Sequence, residues 1–358
     1  MILAAATRFI SKPALRVVRG LAICCSVLAM AQAQKPDAVE TLPVDVIRVP
    51  SAAKEILKVA SEVNGLDSGA SRPWHIKLSY DEFDSDGDNV HSGTFEEFHV
   101  SPKKYKQIHT GDTLNQTDIA ADSGLYRIGD QRWPGLAEYQ ARNAVLRPFY
   151  AFRADKPQLR IDKTATMFST GKLPCVVLNS TGPLILLSAP TACFQPETVM
   201  LRYLRANLAQ DVSYSSIVQF QGHYVAKEIA VARAGKPVLK IHVDELEEIT
   251  KVGDAFFTPP AGATLIAGRI AMPSPIYMDE YAVSAPSPDY PRGSSGKVTV
   301  KLVVGKDGRV VEASAEDGPE NLRKEVLKAV RKYQFRPYLI LDQPVEVEFT
   351  CSFEYHSR

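Results

Sequence analysis

Apolar and polar residues alternate along most of this chain in short runs, each closed by Gly, Pro, Asn, Asp or Ser. A period of two predicts half-buried antiparallel strands. Strands are expected over "WHIKLSYDEFD" (74–84), "SGTFEEFHVSP" (92–102), "KYKQIHTG" (104–111), "GLYRIG" (124–129), "LRIDKTATMF" (159–168), "PCVVLNS" (174–180) and "LILLSA" (184–189). A longer alternating stretch, 212–249, sets Val225, Ile229 and Val231 against Val238, Ile241 and Val243 across a turn at Gly235. Helical spacing is confined to 51–63, where Ile56, Leu57, Ala60 and Val63 share a face, and to 135–150. Many strands and few helices predict a large curved antiparallel sheet, half-barrel-like, packed on one or two helices.

The pattern changes near the C-terminus. In "GKVTVKLVVGKDGRVV", Val298, Val300, Leu302 and Val304 fall on one face, with Lys297, Thr299, Lys301 and Val303 on the other, around a turn at Lys306-Asp307-Gly308. A helix follows in "GPENLRKEVLKAVRKYQFRP", opened by Pro319 and ended by Pro337, with Leu322, Val326, Ala329, Val330 and Tyr333 on a common face. The final run "PVEVEFTCSFEY" points Val345, Val347, Phe349, Cys351 and Phe353 inward and Glu346, Glu348, Thr350, Ser352 and Glu354 outward. The order strand, strand, helix, strand makes a small ββαβ domain, so the fold class is α+β. Prolines at 259, 260, 273, 275, 286 and 288 predict an extended connector between the two folded parts.

A length of 358 residues fits two domains. The 42 Lys and Arg against 41 Asp and Glu create no global field, so nucleic acid and anionic membranes are not expected partners. Arg8, Lys12, Arg16 and Arg19 lead into "LAICCSVLAMA" and then Ala31 and Ala33, which reads as a secretory signal cut before Gln34. An uncleaved inner-membrane anchor is the alternative, and Ile23 before Cys24 argues against lipid attachment there. The chain is thus expected to comprise a signal peptide at 1–33, a tether at 34–50, a β-rich domain at 51–265, a Pro-containing linker at 266–288 and a C-terminal domain at 289–358.

Export leaves Cys175, Cys193 and Cys351 in a compartment that permits disulfides. A bridge between Cys175 and Cys193 across a hairpin is favoured over two free thiols, although spacing alone leaves connectivity open. Cys351 reads as a small buried hydrophobe. Catalytic chemistry is scarce. "DSDGDN" (84–89) departs from a calcium loop and reads as a polar hairpin tip around Asp86-Gly87. The 7 histidines show no short ligand spacing, and there is no Gly-x-Ser-x-Gly elbow or phosphate-cradling loop. No enzyme activity, metal or cofactor is expected.

Tyr290-Pro291, the Val-rich hairpin with Gly308, and Phe335-Arg336-Pro337 after the helix together resemble the C-terminal domain of TonB, the energy transducer of the Gram-negative envelope. The resemblance implies a domain that takes a short extended peptide of an outer-membrane TonB-dependent receptor as an added strand, in transport across the envelope from the periplasm. Here that edge would be Val345, Glu346, Val347, Glu348, Phe349, Thr350, Ser352, Phe353, Glu354 and Tyr355, the outward glutamates setting a negative potential or simply discouraging edge aggregation. The chain departs from a full transducer in an N-terminus that reads as cleavable and in carrying a folded domain where a long spacer would lie. Residues 54–262, closing on "FFTPPAGA", resemble periplasmic LolA-type lipoprotein carriers. That resemblance implies the alternative role, a carrier holding lipid or acyl chains in an apolar pocket of the larger domain, against which stands a filled core.

Overall fold

The computed structural model describes residues 52–66, 72–150, 159–166, 173–180, 190–207, 210–289, 291 and 293–355. The expected leader, the tether, the strand at 184–189 and Tyr290 lie outside them.

Alternation builds the large sheet. On β1 (Trp74–Phe83), Trp74, Ile76, Leu78 and Tyr80 are buried while Lys77, Ser79 and Asp81 turn outward. Its neighbours are β2 (Asn89–Ser101) and β12 (Lys236–Glu248), both antiparallel. Beyond β2 follow β3 (Lys104–Gly111), β4 (Gln116–Ala121), β5 (Gly124–Gly129) and a two-residue β13 (Thr264–Leu265). Beyond β12 follow β11 (His223–Arg233), β10 (Gln210–Phe220), β9 (Leu201–Asn207), β8 (Thr191–Phe194), β7 (Pro174–Ser180) and β6 (Leu159–Thr166). Among the described residues the path ends at β13 and β6 without closing, so the sheet is an open, curved one.

The pattern in the sequence passes over β4, and the reason is physical. Gln116 and Asp118 occupy buried positions on it, so its polar residues face inward. Asp118 is tolerated because Arg127, directly across on β5, donates to both of its carboxylate oxygens at 2.7 Å. A bidentate pair of this kind satisfies two charges that burial would otherwise penalise heavily.

Two helices cover the sheet. α1 (Ala53–Val63) buries Ile56, Leu57 and Ala60, and α2 (Leu136–Leu146) buries Ala141, Ala144, Val145 and Leu146, all in one apolar cluster with Phe95, Ile229 and Ile241. Asn64 closes α1 by tying it to the sheet, its amide donating to Ala60 and Val199 carbonyls and accepting from the Leu201 N–H at 2.9 Å. The inward residues thus pack on one another and on the helices, as a filled core does. Cys175 stands opposite Cys193 on β7 and β8, and the two form the expected disulfide.

The C-terminal sheet has β16 (Gly296–Val304) between β17 (Val310–Asp317) and β20 (Gln343–Tyr355), with α4 (Glu320–Val330) on one face. Val298, Val300, Leu302 and Val304 meet Leu322, Val326 and Val330 in its core, as alternation and helical spacing predict. The helix stops earlier than Pro337: Lys332 and Tyr333 donate to Ala329 and Val330 in a tight final turn, and Gln334–Phe335 becomes a short strand, β18. A hairpin partner, β19 (Tyr338–Ile340), then pairs with Gln343–Val345.

The expected extended connector is corrected by the structure. Residues 266–288 fold into β14 (Arg269–Ala271), α3 (Ser274–Tyr281) and β15 (Ala282–Ser284). Pro273 and Pro275 sit where a helix begins, positions that lose no hydrogen bond to proline. Ile270, Met272, Ile276 and Tyr277 are buried in the C-terminal core, alongside Ala120 and Leu125 of the large sheet. The segment therefore stitches the two sheets. β13 pairs with β5, the Ile266 N–H donates to the Leu125 carbonyl at 2.8 Å, and β14 joins β20 three residues later, after Gly268 turns the backbone at φ 78°.

Candidate functional site

The edge expected to receive a peptide is the outer rim of β20. From Val345 onward its odd-numbered residues turn inward and its even-numbered residues outward, as the sequence predicts, although Glu346, Glu348, Cys351 and Phe353 are all half-buried. Backbone direction alternates with the same period. Glu346 donates its N–H to the Gly268 carbonyl at 3.1 Å, and the Glu348 carbonyl accepts from the Met272 N–H at 2.9 Å. By the same alternation the N–H and C=O groups of Thr350, Ser352 and Glu354 point away from β16, and among the described residues no strand lies on that side of them. All three residues are exposed.

The expectation of a wholly open rim over 345–355 is therefore corrected. β14 runs parallel to β20 with Arg269, Ile270 and Ala271 opposite Glu346, Val347 and Glu348, and Val345 is engaged by Tyr338 of β19. A β-strand rim pairs with whatever extended backbone is tethered nearby, and the segment 268–272 is tethered within a few residues of it. The negative potential is corrected too. Arg269 reaches Glu346 at 3.0 Å and Glu312 at 2.6 Å, and Lys301 reaches Glu348 at 2.8 Å. The hydrogen bond from Arg269 holds the Glu312 carboxyl below its usual range. Glu346 and Glu348 are thus paired with cations, one of them shared with Glu312, which leaves Glu354 as the carboxylate of the open part of the rim.

A cavity of about 450 Å³ lies where β14 ends and the open rim begins, lined among others by Arg132, Trp133, Arg269, Met272, Phe349 and Thr350. It is walled by the large sheet on one side and by β20 on the other. A second hollow of about 320 Å³ lies between β3, β5, α2 and the Tyr338–Asp342 hairpin. Neither is a pocket inside the large domain's apolar core.

The motif residues hold the small domain together. Gly308 has φ 82°, and a side chain there would run into the Phe335 backbone, whose N–H donates to the Gly308 carbonyl at 2.8 Å. Phe335 stacks on Tyr277 of α3 with ring centroids 5.0 Å apart. Arg336 donates to the Glu280 carbonyl at 2.6 Å and lies over the Tyr281 ring. The motif thus anchors α3, and Pro291 and Pro337 flank the same unit. Cys351 is free, and burial pushes its thiol up to about 11, which suits a packing residue.

At the other sites the sequence raised, the Asp84 carboxylate accepts from the Asp86, Gly87 and Asp88 N–H groups, making the polar hairpin tip. Sequence spacing missed one cluster, His75 with Glu245 and Glu247, because its members come from strands far apart in the chain. His75 is buried and its ring nitrogens face Glu247 at 3.1 Å and Glu96 at 2.9 Å. Among the described residues no helix is long and apolar enough to cross a membrane.

Comparison with known proteins bears out the resemblance of the C-terminal region. Residues 286–356 match the family described as Gram-negative bacterial TonB protein C-terminal. The LolA superfamily protein NE2245 of Nitrosomonas europaea is similar in structure at 10% identity and a TM-score of 0.39, covering 59% of this chain and 99% of that one. A putative outer membrane lipoprotein-sorting protein domain of Vibrio parahaemolyticus follows at 9% identity and a TM-score of 0.37, with coverages of 57% and 97%. The MucA/MucB complex of Pseudomonas aeruginosa is similar at 9% identity and a TM-score of 0.29, with coverages of 80% and 99%. No curated protein matches the chain.

Proposed function

We propose that this chain is a non-catalytic periplasmic protein whose C-terminal sheet takes a short extended peptide of an outer-membrane receptor onto the open rim of β20, in transport across the envelope. The observation that supports this reading is the row of exposed residues Thr350, Ser352 and Glu354, which pair with β16 on one side and have no strand on the other side of β20 among the described residues. Strand addition uses such a row for affinity and alternate side-chain sites for selectivity. Magnitudes say that both are needed here. Six backbone hydrogen bonds at roughly 0.5–1.5 kcal/mol net each fall short of most of the ~4–15 kcal/mol lost on association. A side chain of the peptide lodged in the cavity beside Trp133 and Phe349 supplies the remainder.

The test is titration of the full chain with synthetic peptides from receptor N-termini, followed by amide chemical shifts. Shifts along Thr350–Tyr355 are expected. Ser352→Pro removes a rim N–H that the sheet does not use, so the fold should survive while peptide affinity falls at least about tenfold. A flat titration across all receptor peptides rules the reading out.

A further inference from the structure

Gly268–Met272 occupies the rim in the manner the docking reading assigns to a foreign peptide. It is extended, parallel to β20, and in register from Arg269 opposite Glu346 to Ala271 opposite Glu348. It fills side-chain sites as a ligand would. Ile270 and Met272 are 6% and 5% exposed in the C-terminal core, while Arg269 clamps Glu346 and Glu312 and lies 4.0 Å from Glu348 on the outer face. Five residues of β20 direct their backbone to this rim, and β14 takes Glu346 and Glu348, leaving Thr350, Ser352 and Glu354.

We propose that β14 is a tethered stand-in for the incoming strand, so that the full rim opens only when a competing peptide displaces it. This inference rests on the docking reading and deepens it in two ways. First, the sites that β14 fills describe the competitor: a strand parallel to β20 with a basic residue over Glu346 and Glu312, and apolar residues one and three positions later. Second, the attachment sets a threshold. Only Ile266–Gly268 separate β14 from its anchor on β5, and so short a tether places the stand-in at an effective concentration of about millimolar or above. A weak peptide therefore reaches Thr350–Glu354 alone, whereas a strong one replaces β14 and releases the stitch between the two sheets.

The experiment uses the full chain in four forms: wild type, Arg269→Glu, Arg269→Gln, and an Ala271→Cys/Glu348→Cys pair in a Cys351→Ala background that locks β14 in place. The probe is a synthetic peptide with the sequence of residues 267–274, AGRIAMPS, and the readout is the amide shifts of Glu346 and Glu348 with the affinity they give. Arg269→Glu should bind the peptide at least about tenfold more tightly than wild type, because the stand-in loses its clamp while the glutamates keep theirs for the probe. Arg269→Gln should move in the same direction by less, and the locked form should show no shift at Glu346. Equal affinity in all forms overturns the inference. A receptor peptide that shifts Glu346 together with Thr350–Glu354 identically in all forms, the locked one included, also overturns it while leaving the docking reading intact. If no peptide shifts any form, the docking reading falls and the stand-in falls with it.

Discussion

His109 and Gly308 show how single residues here are governed by surroundings that their sequence neighbours do not announce. His109 sits on β3 with its ring tilted against Phe95, 6% exposed, and burial, aided by the Arg142 guanidinium, pushes its imidazole down to about 4. The unfolded chain binds a proton at this residue near pH 6.5, whereas the folded one does so only near pH 4. Its contribution to stability is therefore complete above about pH 6.5 and lost as pH falls toward 4, a change on the order of 3 kcal/mol. Urea unfolding at pH 7 and pH 4.5 should show that His109→Leu removes this part of the pH dependence. Gly308 is constrained twice, by φ 82° and by the Phe335 backbone. Gly308→Ala should cost about 2–4 kcal/mol in the same assay, well above the ~1 kcal/mol expected from positive φ alone.

At the scale of elements, most strands and three helices were legible because each buries one face against a single layer. The exceptions share a cause. β4 hides its polarity in the Asp118–Arg127 pair, and β14 is three residues long within a Pro-containing stretch, too short for any period to register. Of the candidate site, the sequence revealed which β20 side chains face out, but rim occupancy depends on a partner strand some 75 residues upstream. The Cys175–Cys193 bridge was legible from two apolar runs and a turn, and it closes a loop with a sequence separation of 18. Loop-closure entropy predicts that Cys175→Ala/Cys193→Ala loses about 3 kcal/mol, checked by unfolding the wild type and variant side by side. Reductant should lower the stability of the wild type toward that of the variant and leave the variant unchanged.

For the whole molecule, the contact between the large sheet and the small one is the decisive feature. Arg147, at the end of α2, reaches the Glu280 carboxylate on α3 at 2.8 Å, and Glu280 is only 2% exposed. Trp133 and Tyr338 meet edge to face across the same junction. Arg147→Met should cost about 3 kcal/mol, because a buried carboxylate loses its guanidinium. Calorimetry should then show two separated transitions where the wild type shows one, as α3 lets go of α2. What the amino-acid sequence determined by itself is local: which residues alternate, where turns interrupt them, and which segments can form a small ββαβ unit beside a large antiparallel sheet. Tertiary structure alone decided that the Pro-containing stretch belongs to both sheets and that two of the five rim positions are taken. Periodicity reports only which side of a strand is apolar, whereas edge pairing depends on which other backbone is held close enough to reach it.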